Sequence, residues 1–173
     1  YDGLAMVSKS MIVSNKENPK SGVNVILKSI QEGIFHPNMF LRLALYYWEA
    51  KDTDNALLAA DRFIQLRPRR AEGWRIRGWA LVVKRQYNDA IEAFGRALEI
   101  QPGQHQTRYF KALAERDADH LQDALENARI AAEGGYAEAK ELQLQIWDKL
   151  MEQQQILEKL MESDRKDRQQ RKD

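Results

Sequence analysis

Apolar and small positions along this chain recur with the spacing of helices that each bury one face. In Ala71–Gln104, Trp74, Gly78 and Leu81 share one side of a first helix, and Ala90, Phe94 and Ala97 share one side of a second, which Pro102 closes. Thirty-four residues upstream, in Pro37–Arg70, Phe40, Ala44, Tyr47, Ala56 and Pro68 hold the same places, Leu43 stands where Arg77 does, and Ala60 and Phe63 exchange small and aromatic. Downstream, His105–Glu138 keeps Ala112, Ala124 and Ala131 but puts Arg108, Glu115 and Tyr136 where Trp74, Leu81 and Pro102 stood. A fixed period of this length marks a repeat architecture of stacked helix pairs.

The flanks follow the same logic more weakly. The pattern predicts a helix over Leu4–Ser14, a turn over Asn15–Ser21 around Pro19, and a helix over Gly22–Gln31, so that residues 1–36 form a degenerate helical pair, a partial repeat. From Ala137 to Arg165 a single helix is predicted, roughly 40 Å long. Leu142, Ile146, Leu150, Gln153, Leu157 and Leu160 make its apolar stripe, and over residues 139–165 it caps the open end of the array. Its second half has no evident neighbour within the chain. The charged end, residues 166–173, is predicted to be disordered.

Composition agrees with one-faced helices: 43% of residues are hydrophobic, 31% are charged, and mean hydropathy is −0.66. There is no cysteine, which removes disulfides, thiolate metal sites and cysteine nucleophiles. A cysteine-free chain suits a reducing cytoplasm and a periplasm alike, so the compartment stays open. No apolar run reaches the ~18–20 residues of a membrane span. The chain opens on Tyr1 without a basic-then-apolar leader, which reads as a trimmed fragment or a processed product. The net charge of +1 hides an asymmetry: Arg62–Arg85 carries eight bases and one acid, whereas Glu115–Asp164 carries thirteen acids and five bases.

The residues at positions 4, 8, 11, 20, 24, 27 and 32 of Ala71–Gln104 (Trp74, Gly78, Leu81, Ala90, Phe94, Ala97 and Pro102) resemble the tetratricopeptide repeat. Arg77, at a place where that family usually carries Leu, is the plain departure. The resemblance implies an all-α, right-handed solenoid with repeats at 37–70, 71–104 and, in degenerate form, 105–138. It also implies a concave groove lined by first helices. Carried over position by position, the groove comprises Asn38, Leu41, Leu45, Trp48 and Glu49, then Glu72, Arg75, Trp79, Val82 and Val83, then Gln106, Tyr109, Leu113, Arg116 and Asp117. Its floor is then apolar and aromatic, with Arg75 and Arg116 at the walls, which suits an amphipathic helix or an extended segment with large apolar anchors. A competing reading packs Trp48 and Trp79 against neighbouring helices. Members that clamp chaperone C-terminal carboxylates use Lys, Asn and Arg at set places. Leu41, Arg42, Leu45, Arg75, Ile76 and Trp79 stand there, so that ligand is not expected.

A basic patch of Arg67, Arg69, Arg70 and Arg77 reads as a solvated face, a dock for an acidic segment, or an anion site. Arg77 has Asp61 and Glu92 as candidate partners. No nucleic-acid motif accompanies the patch. Opposite charge on the middle and the C-terminal half also permits head-to-tail self-assembly. The C-terminal stripe could pair with its copy as a short coiled coil, although Gln153 and Gln154 interrupt a strict heptad.

Chemistry finds no foothold. His36, His105 and His120 lie at separate boundaries, and no Gly-rich phosphate loop or GxSxG occurs. The sequence therefore predicts a non-enzymatic adaptor or scaffold module without metal or cofactor, part of a larger protein or assembly. Its partner is a protein or peptide, with a homo-oligomer as the alternative.

Overall fold

The computed structural model describes residues 19–34 and 36–170, and the predicted helix Leu4–Ser14 lies outside them. Among the described residues there are eight helices and no strand: α1 (Pro19–Gln31), α2 (Pro37–Glu49), α3 (Thr53–Leu66), α4 (Ala71–Val83), α5 (Tyr87–Ile100), α6 (His105–Asp117), α7 (Leu121–Glu133) and α8 (Glu138–Gln170). Three hairpins, α2/α3, α4/α5 and α6/α7, stack in order, and α8 follows. α1 begins at Pro19, three residues earlier than the pattern predicts, because proline is well placed in a first helical turn. α8 runs on through Gln170, so residues 166–170, expected as part of a disordered tail, continue the helix.

Local chemistry sets the hairpins. His36 caps α2 through Nδ1, which accepts from the Asn38 amide at 3.2 Å, with Pro37 in the first turn. Asp52 caps α3 by accepting from the Asn55 amide at 3.2 Å. Each hairpin turns on one left-handed residue: Lys51 (φ 60°), Arg85 (φ 58°) and Asp119 (φ 65°). All three occupy position 15 of their repeat. That conformation is uncommon for a residue with a side chain; here it ends each first helix, with the next residue's N–H bonded back to the carbonyl five residues earlier (Asp52 to Tyr47 at 2.8 Å, Gln86 to Leu81 at 2.9 Å, His120 to Glu115 at 2.8 Å).

Three apolar clusters run along the stack. Ile26, Met39, Leu43, Ala44, Ala59, Ala60 and Ile76 form the first; Leu81, Ala90, Ala93, Phe94 and Ala114 the second; and Ala112, Leu121, Ala124, Ala128, Leu142 and Ile146 the third. Small residues mark the close crossings. A Cβ on Gly78 would lie 2.6 Å from the Phe94 ring, which is why the α4/α5 pair takes glycine there. Among the described residues no helix is long and apolar enough to cross a membrane.

Candidate partner-binding face

First helices α2, α4 and α6 lie in contact in succession, and their outward residues form one face. An aromatic row crosses it. Trp48 on α2 meets Trp79 on α4 with ring centroids 5.9 Å apart. Trp79 meets Phe110 on α6 edge-on at 5.6 Å, and Phe110 meets Tyr109 at 5.4 Å. Tyr109 then meets Tyr136, in the turn before α8, at 4.9 Å. Edge-to-face and tilted pairs of this spacing suit the charge distribution of aromatic rings.

Along this row the expected groove residues fall into distinct environments. Leu45 is exposed, Trp48 is half-buried, and Leu41 packs partly on the first cluster. Val82 packs partly on the second cluster, whereas Val83, Glu49, Gln106 and Asp117 are exposed. Leu113 packs on the third cluster. Asn38 is exposed, and its amide serves the α2 cap. Trp79 packs against both the first and second clusters, so its indole is a structural bridge as well as a part of the row.

Two arginines are held beside the row by glutamine side-chain amides. Arg75 lies over the Trp79 ring, 5.9 Å from its centroid, and its Nη1 donates to Gln104 Oε1 at 3.3 Å. Arg116 pairs with Asp117 at 2.8 Å and donates to Gln145 on α8 at 3.3 Å, which carries the face onto the last helix. Arg75 Nε and Trp79 Nε1 are buried beneath the face without a hydrogen-bond partner. Burial, and next the neighbouring Tyr136 and Glu138, raise the Tyr109 hydroxyl above its ordinary pKa, so it stays a neutral donor at physiological pH.

The basic patch is brought together only in part. Arg77 turns to α3, where its Nε donates to Asp61 Oδ1 at 3.0 Å; Asp61 rather than Glu92 is its partner. Arg70 makes a forked contact with Glu72 at 2.7 and 3.3 Å, whose hydrogen bonds hold the Glu72 carboxyl below its usual pKa. Lys84 pairs with Asp54. Arg67 and Arg69 are exposed in the α3–α4 turn, where the Arg67 backbone N–H donates to Phe63 O at 2.8 Å and ends α3. Among the described residues no three acids or histidines gather as a metal-binding group.

Sequence reasoning passed over Phe110, which links Trp79 to Tyr109. The signal was an aromatic doublet one residue off the expected groove position. It also passed over an open groove of about 690 Å³ between α7 and α8, lined by Leu125, Leu144 and Trp147 with Gln122, Arg129 and Lys140 among its polar rim.

Residues 71–104 match the tetratricopeptide repeat family. No curated protein is similar in sequence to the chain. Among solved structures, the TPR2B domain of yeast Sti1 in its pHsp70 complex superposes with a TM-score of 0.62 at 23% identity, covering 65% of this chain and 97% of that one. MamA from Desulfovibrio magneticus RS-1 gives a TM-score of 0.72 at 13% identity, covering 86% of this chain and 95% of that one. The first TPR of Spaghetti (RPAP3) bound to the HSP90 peptide SRMEEVD gives 0.64 at 14% identity, covering 66% and 93%. Residues 71–104 are thus a tetratricopeptide repeat, and the chain folds as an α-solenoid of that type.

Proposed function

We propose that this chain is an adaptor or scaffold module that holds a peptide or helix of a partner protein on the face made by α2, α4 and α6. The tetratricopeptide fold is a protein-interaction fold, and two of the similar structures are peptide or chaperone complexes. The aromatic row from Trp48 to Tyr136 is the observation that carries the reading, because it sets wide, half-covered rings between two positioned arginines. Leu41, Leu45, Trp48 and Val82 supply apolar contact. Arg75 and Arg116 orient an acceptor or carboxylate of the ligand. Covering two or three large side chains contributes ~1.5–3 kcal/mol each before ordering costs. Trp79 does double duty, and its removal would disturb two clusters at once, so Leu45 and Trp48 are the residues to test.

The rival reading, docking of the basic middle on the acidic C-terminal half of another copy, draws less support. Arg70, Arg77 and Lys84 already have carboxylate partners within the chain. The test is selection of binders from a displayed random peptide library with the whole chain. Leu45→Ala with Trp48→Ala should weaken the selected peptides by about 100-fold, as loss of ~3 kcal/mol predicts, with helicity unchanged. Arg75→Gln should remove preference for acidic residues. Peptides that bind the Leu45/Trp48 variant as tightly as the parent would place the site elsewhere.

A further inference from the structure

α8 is 33 residues long, whereas each first helix before it has 13. A 34-residue window set at Ala137–Gln170, two residues earlier than a strict period gives, aligns it with the other units. Position 3 is then Ala139 and position 10 is Ile146, both buried, as are Gly73 with Ala80 and Thr107 with Ala114. These places face the preceding repeat.

The remaining places diverge in one consistent way. Position 8 is Ala44, Gly78 and Ala112 in the three hairpins, each buried beneath its second helix. In α8 it is Leu144, which is 66% exposed, beside Trp147 at 51%. Position 20 is Ala56, Ala90 and Ala124, and position 24 is Ala60, Phe94 and Ala128, all buried. In α8 these are Ile156 and Leu160, both exposed. Leu57, Ile91 and Leu125 at position 21 are half-buried, and their equivalent Leu157 is exposed. Position 15, left-handed in every hairpin, is Met151, which here continues the helix.

The last hydrogen bond from α8 to the rest of the described chain joins Gln153 to Asp119 at 3.3 Å. Beyond it every described side chain is exposed through Ser163. A helix of about this length without tertiary support is marginal in water. Meanwhile the groove between α7 and α8 stands where the missing second helix would sit.

We propose that Ala137–Gln170 is a fourth helix pair drawn out as one helix, and that the α7/α8 groove is the seat of this chain's own residues 153–163. Folding back at Met151 seats Ile156, Leu157 and Leu160 against Leu144, Trp147 and Leu125. Each apolar surface then covers the other. Lys159 takes position 23, where Ala59, Ala93 and Asn127 stand, and its cationic head can lie over the Trp147 ring at position 11. Lys51, Arg85 and Asp119 show that this turn needs no glycine. In the straight form the groove and the stripe are both open to a partner; in the folded form both are sealed.

The absence of cysteine makes the test direct. Positions 8 and 24 touch in the second hairpin, where Gly78 abuts Phe94. Leu144 and Leu160 are the equivalent pair. In the straight helix, 16 residues apart, their Cα atoms lie ~24 Å from each other, far beyond the roughly 4.4–6.8 Å a disulfide spans. The full chain carrying Leu144→Cys and Leu160→Cys is oxidised mildly at low concentration. Leu144→Cys with Glu158→Cys is the comparison, because position 22 is exposed in every hairpin. An intramolecular disulfide forming at least about tenfold faster in the first variant is expected, since only that pair reaches bonding distance on folding back. No intramolecular bond, equal rates in the two variants, or covalent dimers as the main product would each overturn the proposal, the last by assigning the groove to a second copy. All the exchanged residues are exposed in the straight form, so circular dichroism should show unchanged helicity.

Discussion

The second and third hairpins share a backbone plan and differ in what fills it. α4/α5 closes on Trp74, Leu81, Ala93 and Phe94 around Gly78. α6/α7 puts Arg108, Glu115, Asn127 and Ala128 in those places around Ala112. Trp74 Nε1 donates to the Pro68 carbonyl at 2.9 Å, and Arg108 Nη2 donates to the Pro102 carbonyl at 3.2 Å. The same inter-repeat turn is thus tied down by an indole in one unit and a guanidinium in the other. Glu115, 2% exposed, receives both of its contacts from within the pair: Lys111 at 3.1 Å, and Asn127 Nδ2 at 2.8 and 3.0 Å. What a repeat position requires is a filled volume with its polar atoms met, and apolar character is one of two ways to supply it.

The sharpest break of this comparison is Phe94→Ala. It opens a cavity beneath Gly78 and takes away the ring stacked on Phe110, and should cost ~3–5 kcal/mol in urea unfolding. A loss under ~1 kcal/mol would mean that the second hairpin does not depend on its aromatic plug. Asn127→Ala should come next, at ~1–3 kcal/mol, because Glu115 loses two hydrogen bonds while remaining buried. Adding Glu115→Leu to Asn127→Ala gives the third hairpin the Leu81/Ala93 pair of the second. That double variant should recover most of the loss, and failure to recover would show that the polar filling does more than occupy space.

The smallest effect is on pH dependence. Burial raises the Glu115 carboxyl above its ordinary value of 4.5, with Lys111 the first of the opposing influences. The folded state therefore holds this proton more tightly than the unfolded state does. This carboxyl's contribution is fully present below 4.5 and declines as pH rises from there through the raised folded value. Glu115→Gln should flatten that decline in unfolding curves measured across mildly acidic to neutral pH. An unaltered slope would remove Glu115 as its source.

Much of the fold is legible in local spacing. Gly78, Ala90, Phe94 and Pro102 announce a helix pair because each answers a constraint within 34 residues: a crossing, a plug or a stop. The third hairpin, α6/α7, keeps Ala112, Ala124 and Ala131 at the same spacing. The candidate face was harder to read. Its residues come from α2, α4 and α6, and whether a tryptophan lines a surface or braces two clusters depends on how neighbouring units settle. Trp79 does both. Arg77 offers a similar lesson, because Asp61 and Glu92 were equal candidates in sequence and only the stacking of α4 on α3 chose Asp61.

The sequence by itself determined the repeat, its period, the helix pairs and the apolar stripe that seats α8, because helical periodicity is written in residues three and four apart. Tertiary structure alone decided three things: that Arg108 bonds the Pro102 carbonyl as Trp74 bonds that of Pro68, that Glu115 is buried with its partners met, and that Arg77 pairs with Asp61. Those outcomes rest on contacts between segments distant in the chain, where a position's chemistry is set by what another repeat brings to it.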